Sequence, residues 1–181
     1  MSKPTNKLVV VDELRFDGLR FKNRTETKGI TIHCSASKPS QDWDAVDIDQ
    51  MHRRQGWLCI GYHFVISRDG RIHLGRPTEA RGAHCKNEGR NTTHIGICLV
   101  GGVAQNPVGH VPGSPWNGSN AEANFTEAQG ESLRTLIDSL CIKYGLTLDD
   151  VEGHRDVAGV RKACPSFSVL EWKDTGDFQL N

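Results

Sequence analysis

Two imidazoles and a thiol stand out as a set that could hold a metal ion: His33 in an apolar run, His154 just after another, and Cys164 ten residues later. Two neutral imidazoles and one thiolate are a known zinc ligand type. Three protein ligands leave the fourth tetrahedral position for water, which is the catalytic form of such a site. Spacing alone does not bring the three together, because His33 lies more than 120 residues before the other two and neither HExxH nor paired CxxC occurs. Most of the other histidines have ordinary readings, such as His52 on a helix, His73 in a hairpin and His110 in a loop. Among the cysteines, Cys34 and Cys98 lie in strand-like apolar runs and Cys141 on a helix stripe, where a free thiol packs as a small hydrophobe. Cys164 differs, because Lys162-Ala163-Cys164-Pro165-Ser166 is a polar, turn-like stretch with a cation two residues from the thiol.

The elements that must position these groups follow from periodicity. Residues 28 to 34 read as a strand with Ile30, Ile32 and Cys34 on one face and Thr31 and His33 on the other. Asp42 or Asp44 starts a helix with Ala45, Ile48, Met51 and His52 on one side, ended by Gly56. Residues 61 to 67 and 71 to 75 read as two strands joined by a tight Asp69-Gly70 turn. The run 95 to 100 suits a central strand covered on both faces. Residues 101 to 124, with three prolines and Trp116, read as a long surface loop. Thr126 with Gln129 forms a capping box for a helix whose stripe is Leu133, Leu136, Ile137, Leu140, Cys141 and Tyr144, and Gly145 ends it. A last strand over 150 to 153 leads to His154. In the first 27 residues, Leu14 and Phe16, then Leu19 and Phe21, flank Asp17-Gly18, which predicts a type I′ β-hairpin docked on the domain. The mixture predicts an α/β fold, a single domain with a central mixed β-sheet flanked by helices.

Composition narrows the function classes. The chain has 181 residues, 36% hydrophobic and 24% charged, which describes one globular domain with a sizeable core. Lys+Arg 22 balance Asp+Glu 22, so the broad basic footprint of a nucleic-acid or anionic-membrane binder is missing. The longest aliphatic run near the start covers residues 8 to 11, too short for a spanning helix or a signal-peptide core. The expectation is a chain made in the cytoplasm with six free thiols.

Five ordered segments sharpen the reading: Ile32-His33-Cys34-Ser35-Ala36; Gly61-Tyr62-His63-Phe64-Val65-Ile66; Ser67-Arg68-Asp69-Gly70; residues 95 to 102, IGICLVGG; and Lys162-Ala163-Cys164-Pro165-Ser166-Phe167. Together they resemble the phage-lysozyme branch of the type 2 N-acetylmuramoyl-L-alanine amidases, relatives of the peptidoglycan recognition proteins, over residues 28 to 172. The resemblance implies that His33, His154 and Cys164 bind one Zn2+ per chain, that Tyr62 and Lys162 are catalytic groups beside it, and that His84 and Asn91 contact the muropeptide. The bond cut in that family joins the lactyl group of N-acetylmuramic acid to L-alanine. Zinc suits the task by lowering the pKa of bound water towards about 7 and polarising the carbonyl. This sequence departs from the family pattern in its first 27 residues, in the longer 101 to 124 segment, and in extra residues Gly159-Val160-Arg161 ahead of Lys162.

The resemblance further implies a phage endolysin that reaches the wall from the host cytoplasm after a separate factor opens the membrane. Bacterial peptidoglycan is the expected partner, with no nucleic acid, no membrane insertion and a monomeric chain. The expected organisation is an extension over residues 1 to 27, a catalytic domain over 28 to 181, and no separate wall-binding domain. Two other readings stand beside it, a non-catalytic peptidoglycan-binding module and a cytoplasmic amidase that recycles soluble muropeptides.

Overall fold

Six strands form one mixed sheet in the computed structural model, which describes residues 8–107 and 120–178. They are β1 (Val10–Val11), β2 (Gly29–Cys34), β3 (Phe64–Ile66), β4 (Ile72–Leu74), β5 (His94–Leu99) and β6 (Val151–Gly153), side by side in the order β1-β4-β3-β5-β2-β6. The β3–β4 pair is antiparallel and the other pairs are parallel. Every residue of β2 and β5 is buried, as parallel strands covered on both faces require. The helices are α1 (Ala45–Arg54), the single turn α2 (Arg90–Thr93), α3 (Glu127–Tyr144) and α4 (Val169–Thr175).

Alternation along the strands makes two cores. Ile30, Ile32, Ile66, Ile95, Ile97 and Leu99 pack against Leu133, Ile137 and Leu140 of α3 and against Val169 and Trp172 of α4. On the opposite face Val65 and Cys98 pack with Ala45 and Ile48 of α1, with Ile60, and with Leu14 from the N-terminal segment. The α/β class with a mixed sheet between helices is the one expected from the periodicity.

The helix starts are governed by their caps. Of the two candidate residues at the first start, Asp44 is the cap: its Oδ1 accepts from the amides of Val46 (2.7 Å) and Asp47 (3.1 Å). The Thr126–Gln129 capping box forms as the spacing implies. Gln129 does more than cap, because it is fully buried and its Nε2 donates to the carbonyls of Ile66 and Val100, both at 3.0 Å. The start of α3 is thereby fastened to the ends of β3 and β5. Its other end is Gly145, at a left-handed φ of 67°.

Several expectations are corrected. The β3–β4 turn holds three residues, Arg68-Asp69-Gly70, closed by Ser67 N donating to Arg71 O at 3.0 Å, with Gly70 at φ +84°. Strand β3 begins at Phe64 and not at residue 61, because residues 61–63 bond three separate partners: Gly61 O accepts from Ala83, Tyr62 O from Arg76, and His63 N donates to Gly96 O. The N-terminal hairpin does not form. Leu19 N donates to Phe16 O at 2.9 Å and Gly18 takes φ +76°, but Asp17 does not have the positive φ that a type I′ turn needs, and no ladder flanks the turn. Leu14 is instead buried against the α1 face, and Phe16 meets Phe21 edge-on at 5.4 Å. The short strand β1 and helix α4 were not expected. Of the 101 to 124 segment, Gly102 bridges Ser37 and Val103 bridges Ala121, while His110 and Trp116 lie outside the described residues.

Candidate metal centre

The parallel β2–β6 register pairs Ile32 with Gly153, so the next rung sets His33 beside His154 at the carboxyl ends of their strands. The crevice beyond those ends is where open α/β sheets bind ligands. Cys164 arrives from the segment before α4 and is held by its own backbone, with Arg155 N donating to Cys164 O at 2.7 Å. The ligand atoms of His33, His154 and Cys164 all lie within 4.8 Å of one another, and all three side chains are buried. His33 Nδ1 stands 3.7 Å from Cys164 Sγ. Tetrahedral bonds of about 2.1 Å to nitrogen and 2.3 Å to sulfur would separate those atoms by roughly 3.5 Å, so the spacing fits zinc.

A chain of hydrogen bonds fixes which nitrogen of His33 is free. His84 Nε2 faces the carbonyl of His94 at 3.3 Å and therefore carries the proton. His84 Nδ1 must then accept, and it lies 3.0 Å from His33 Nε2, which donates. That leaves the lone pair of His33 on Nδ1, facing Cys164. Metal-binding histidines are commonly oriented in this way through their second nitrogen. Gly82 and Gly96 make room for the arrangement, since a Cβ on either would come within 2.5 Å or 2.6 Å of the His84 ring.

The electrostatics keep the imidazoles neutral and hence able to ligate. Burial, followed by the neighbouring His84 and His154 rings and Lys162, holds His33 well below the ordinary histidine value. Burial and then Lys162 push His154 down to about 4. Burial raises the Cys164 thiol well above its usual range, and the amide of Cys34 donates to its sulfur at 3.3 Å. The Tyr62 ring stands 5.2 Å from that of His33, and burial together with nearby thiols keeps its hydroxyl protonated to well above its usual pKa. Lys162 is exposed at the rim.

A cleft of about 550 Å³ opens from this cluster, lined among others by Trp57, His84, Asn91, His154, Arg161 and Lys162. The structure thus brings together His33, Tyr62, His84, His154, Lys162 and Cys164. Asn91 also borders the cleft, but its Oδ1 is engaged with the amides of His84 (2.7 Å) and Cys85 (2.9 Å) and so shapes the loop that carries His84. His63, adjacent to Tyr62, turns away, with Nδ1 accepting from Gly96 N and Nε2 donating to Ala80 O. Sequence reasoning missed the contact of His84 with His33 and the place of Trp57 and Arg161 on the cleft wall. The glycines at 82 and 96 were the available signal for His84, and nothing local marks the other two.

A family model for N-acetylmuramoyl-L-alanine amidases matches residues 23–167. The endolysin of Enterobacteria phage T3 is 44% identical over 154 residues, which covers 85% of this chain and 90% of that protein. Among solved structures, the N-acetylmuramoyl-L-alanine amidase LysC from Clostridium intestinale superposes with a TM-score of 0.68 at 28% identity, covering 93% of this chain and 97% of that one. Bumblebee PGRP-SA has the same fold, with a TM-score of 0.67 at 20% identity over 93% of this chain and 96% of its own.

Proposed function

This chain belongs to the N-acetylmuramoyl-L-alanine amidase family, and from that premise we propose that it is a zinc-dependent endolysin cleaving the amide between N-acetylmuramic acid and L-alanine in bacterial peptidoglycan. The observation that carries the proposal is the meeting of His33, His154 and Cys164 at the head of a cleft. These three residues would hold the ion. Bound there, zinc supplies the Lewis acidity that polarises the scissile carbonyl and makes water acidic enough to attack it at neutral pH. His84 holds His33 in the ligating tautomer. Tyr62 remains a proton donor over the working pH range, and with Lys162 it would stabilise negative charge developing on the carbonyl oxygen. Trp57, Arg161 and the loop braced by Asn91 form the walls against which the stem peptide and sugar lie. Residues 28 to 181 act as the catalytic unit, as a monomer, with no nucleic-acid partner and no membrane insertion. Among the described residues no helix is long and apolar enough to cross a membrane. The chain begins its work from the host cytoplasm and reaches the wall once a separate factor has opened the membrane.

Retention of all three ligands favours this reading over a binding module without catalysis. Digestion of purified sacculi followed by mass spectrometry tests it. New L-alanine amino termini with no new reducing sugar ends are expected. New reducing ends would identify a glycosidase, and activity confined to soluble muropeptides would identify a recycling enzyme.

A further inference from the structure

His73 on β4 carries a polar atom with nothing to bond. Its side chain is 2% exposed, and Nδ1 is buried without a hydrogen-bond partner. The tautomer of this ring is set on its other side. Ser67 Oγ gives its proton to Asp69 Oδ1 at 2.6 Å, so it accepts from His73 Nε2 at 3.1 Å. Nδ1 is then an unprotonated lone pair.

Two carboxylates face the same place. The ligand atoms of His73, Asp44 and Glu13 lie within 4.8 Å of one another. Asp44 caps α1 through Oδ1 alone, which takes both amide bonds and leaves Oδ2 for another partner. Glu13 reaches in from the N-terminal segment and is exposed. Arg71, a cation that acts on His73, is engaged with Asp69 at 2.6 Å. A buried imidazole with one unbonded nitrogen beside two carboxylate groups is an unfavourable arrangement in itself, and either a proton on Nδ1 or a cation would relieve it. A proton is the weaker answer here, because burial lowers the His73 pKa against the opposing pull of Asp44, and no bond from Nδ1 reaches either carboxylate.

We propose that Glu13, Asp44 and His73 form a second cation site, holding a divalent first-row transition metal that ties the N-terminal segment to the start of α1 and to β4. One imidazole and two carboxylates suit a borderline cation such as zinc or cobalt, and water completes the shell on the exposed Glu13 side. The ligand set carries two negative charges with no thiolate, so it differs chemically from the His33–His154–Cys164 cluster. The site stands independently of the amidase reading.

Cobalt(II) titration of the metal-stripped full chain separates the two sites, because only the cluster containing Cys164 gives a sulfur-to-metal charge-transfer band. Two equivalents are expected, one with that band and one with d–d absorption alone. Glu13→Gln, a change at an exposed position, should weaken the second equivalent at least tenfold and leave the sulfur band and amidase activity intact. Amide exchange over residues 10 to 16 should slow when the second equivalent binds to the unaltered chain, and not in Glu13→Gln. A single equivalent accompanied by the sulfur band, or a second equivalent indifferent to Glu13→Gln, would overturn the proposal. A second equivalent lost in Glu13→Gln without any sulfur band would sustain this site and count against the zinc centre.

Discussion

Cys164 and Cys98 are both buried thiols in this protein, yet their surroundings assign them opposite tasks. Cys164 faces His33 Nδ1 at 3.7 Å, whereas Cys98 is packed between Val65 and the α1 face. Cys164→Ala should therefore abolish zinc binding and activity with the fold retained, since the core does not depend on the metal. Cys98→Ala should keep both and lose about 1 kcal/mol or more of stability through a small cavity. Metal analysis and urea unfolding of the two variants check this, and equal zinc loss in both would contradict the ligand assignment. Tyr62 offers a second contrast at this scale. Removing a donor that acts only in the transition state typically costs about 3 to 4 kcal/mol, or two to three decades in rate. Tyr62→Phe should keep zinc and a near-native melting temperature while turnover falls at least tenfold. Lys162→Ala should lose at least tenfold as well, but less than Tyr62→Phe, because the lysine is exposed at the rim and solvent screens its charge. Unchanged turnover in Tyr62→Phe at full zinc occupancy would return that tyrosine to a packing role.

Strand β5 shows how an element serves the site with a residue outside the His33–His154–Cys164 cluster. Gly96 is a glycine of its buried run where an added Cβ would collide with His84, at 2.6 Å from two ring atoms. Gly96→Ala should displace His84 from His33 and lower zinc affinity by roughly 10 to 100-fold, the usual effect of losing such a supporting bond. A competition titration with a chelator reads that shift, and an unchanged affinity would show that His33 needs no help from His84. The sequence presented His33, His154 and Cys164 as candidate ligands by residue type and singled them out by the five-segment resemblance, with strand alternation separating His33 from Cys34. It could not show that they meet, since the parallel register that sets Ile32 opposite Gly153 is formed between segments far apart in the chain. Helix α4 had a readable start in Ser168 and Glu171, with Ser168 Oγ accepting from Glu171 N at 3.2 Å. The Asp17-Gly18 signal misled for the opposite reason. Its turn exists, but burial of Leu14 in the α1-side core decides the path of the flanking chain, and tertiary packing outweighs the local preference.

Over the whole molecule, the buried histidines make stability depend on pH in a definite direction. His52 Nδ1 accepts from Gly61 N at 3.1 Å, and His63 Nδ1 accepts from Gly96 N at 2.9 Å, so protonating either nitrogen would set a proton against an amide N–H. Burial pushes both down to about 4, from the ordinary 6.5 that they regain on unfolding. Between those two values the unfolded chain binds more protons than the folded one, and stability rises with pH wherever that holds. The contribution is complete above pH 6.5 and falls as the pH drops from 6.5 towards 4. At pH 5 each histidine should have cost roughly 2 kcal/mol, a large share of the 5 to 15 kcal/mol typical of a domain. Urea unfolding of the metal-free chain at pH 7.5 and pH 5.0 measures the loss without a contribution from zinc release. A fall of at least 3 kcal/mol is expected, to which the other depressed histidines, His33, His84, His94 and His154, add in the metal-free chain, and His63→Gln, which cannot take up that proton, should shrink the difference by about 2 kcal/mol. A stability that stays level between the two pH values would mean that these rings accept protons without leaving their bonds to Gly61 and Gly96, and the neutral, tautomer-fixed lattice of imidazoles on this face of the sheet would have to be abandoned.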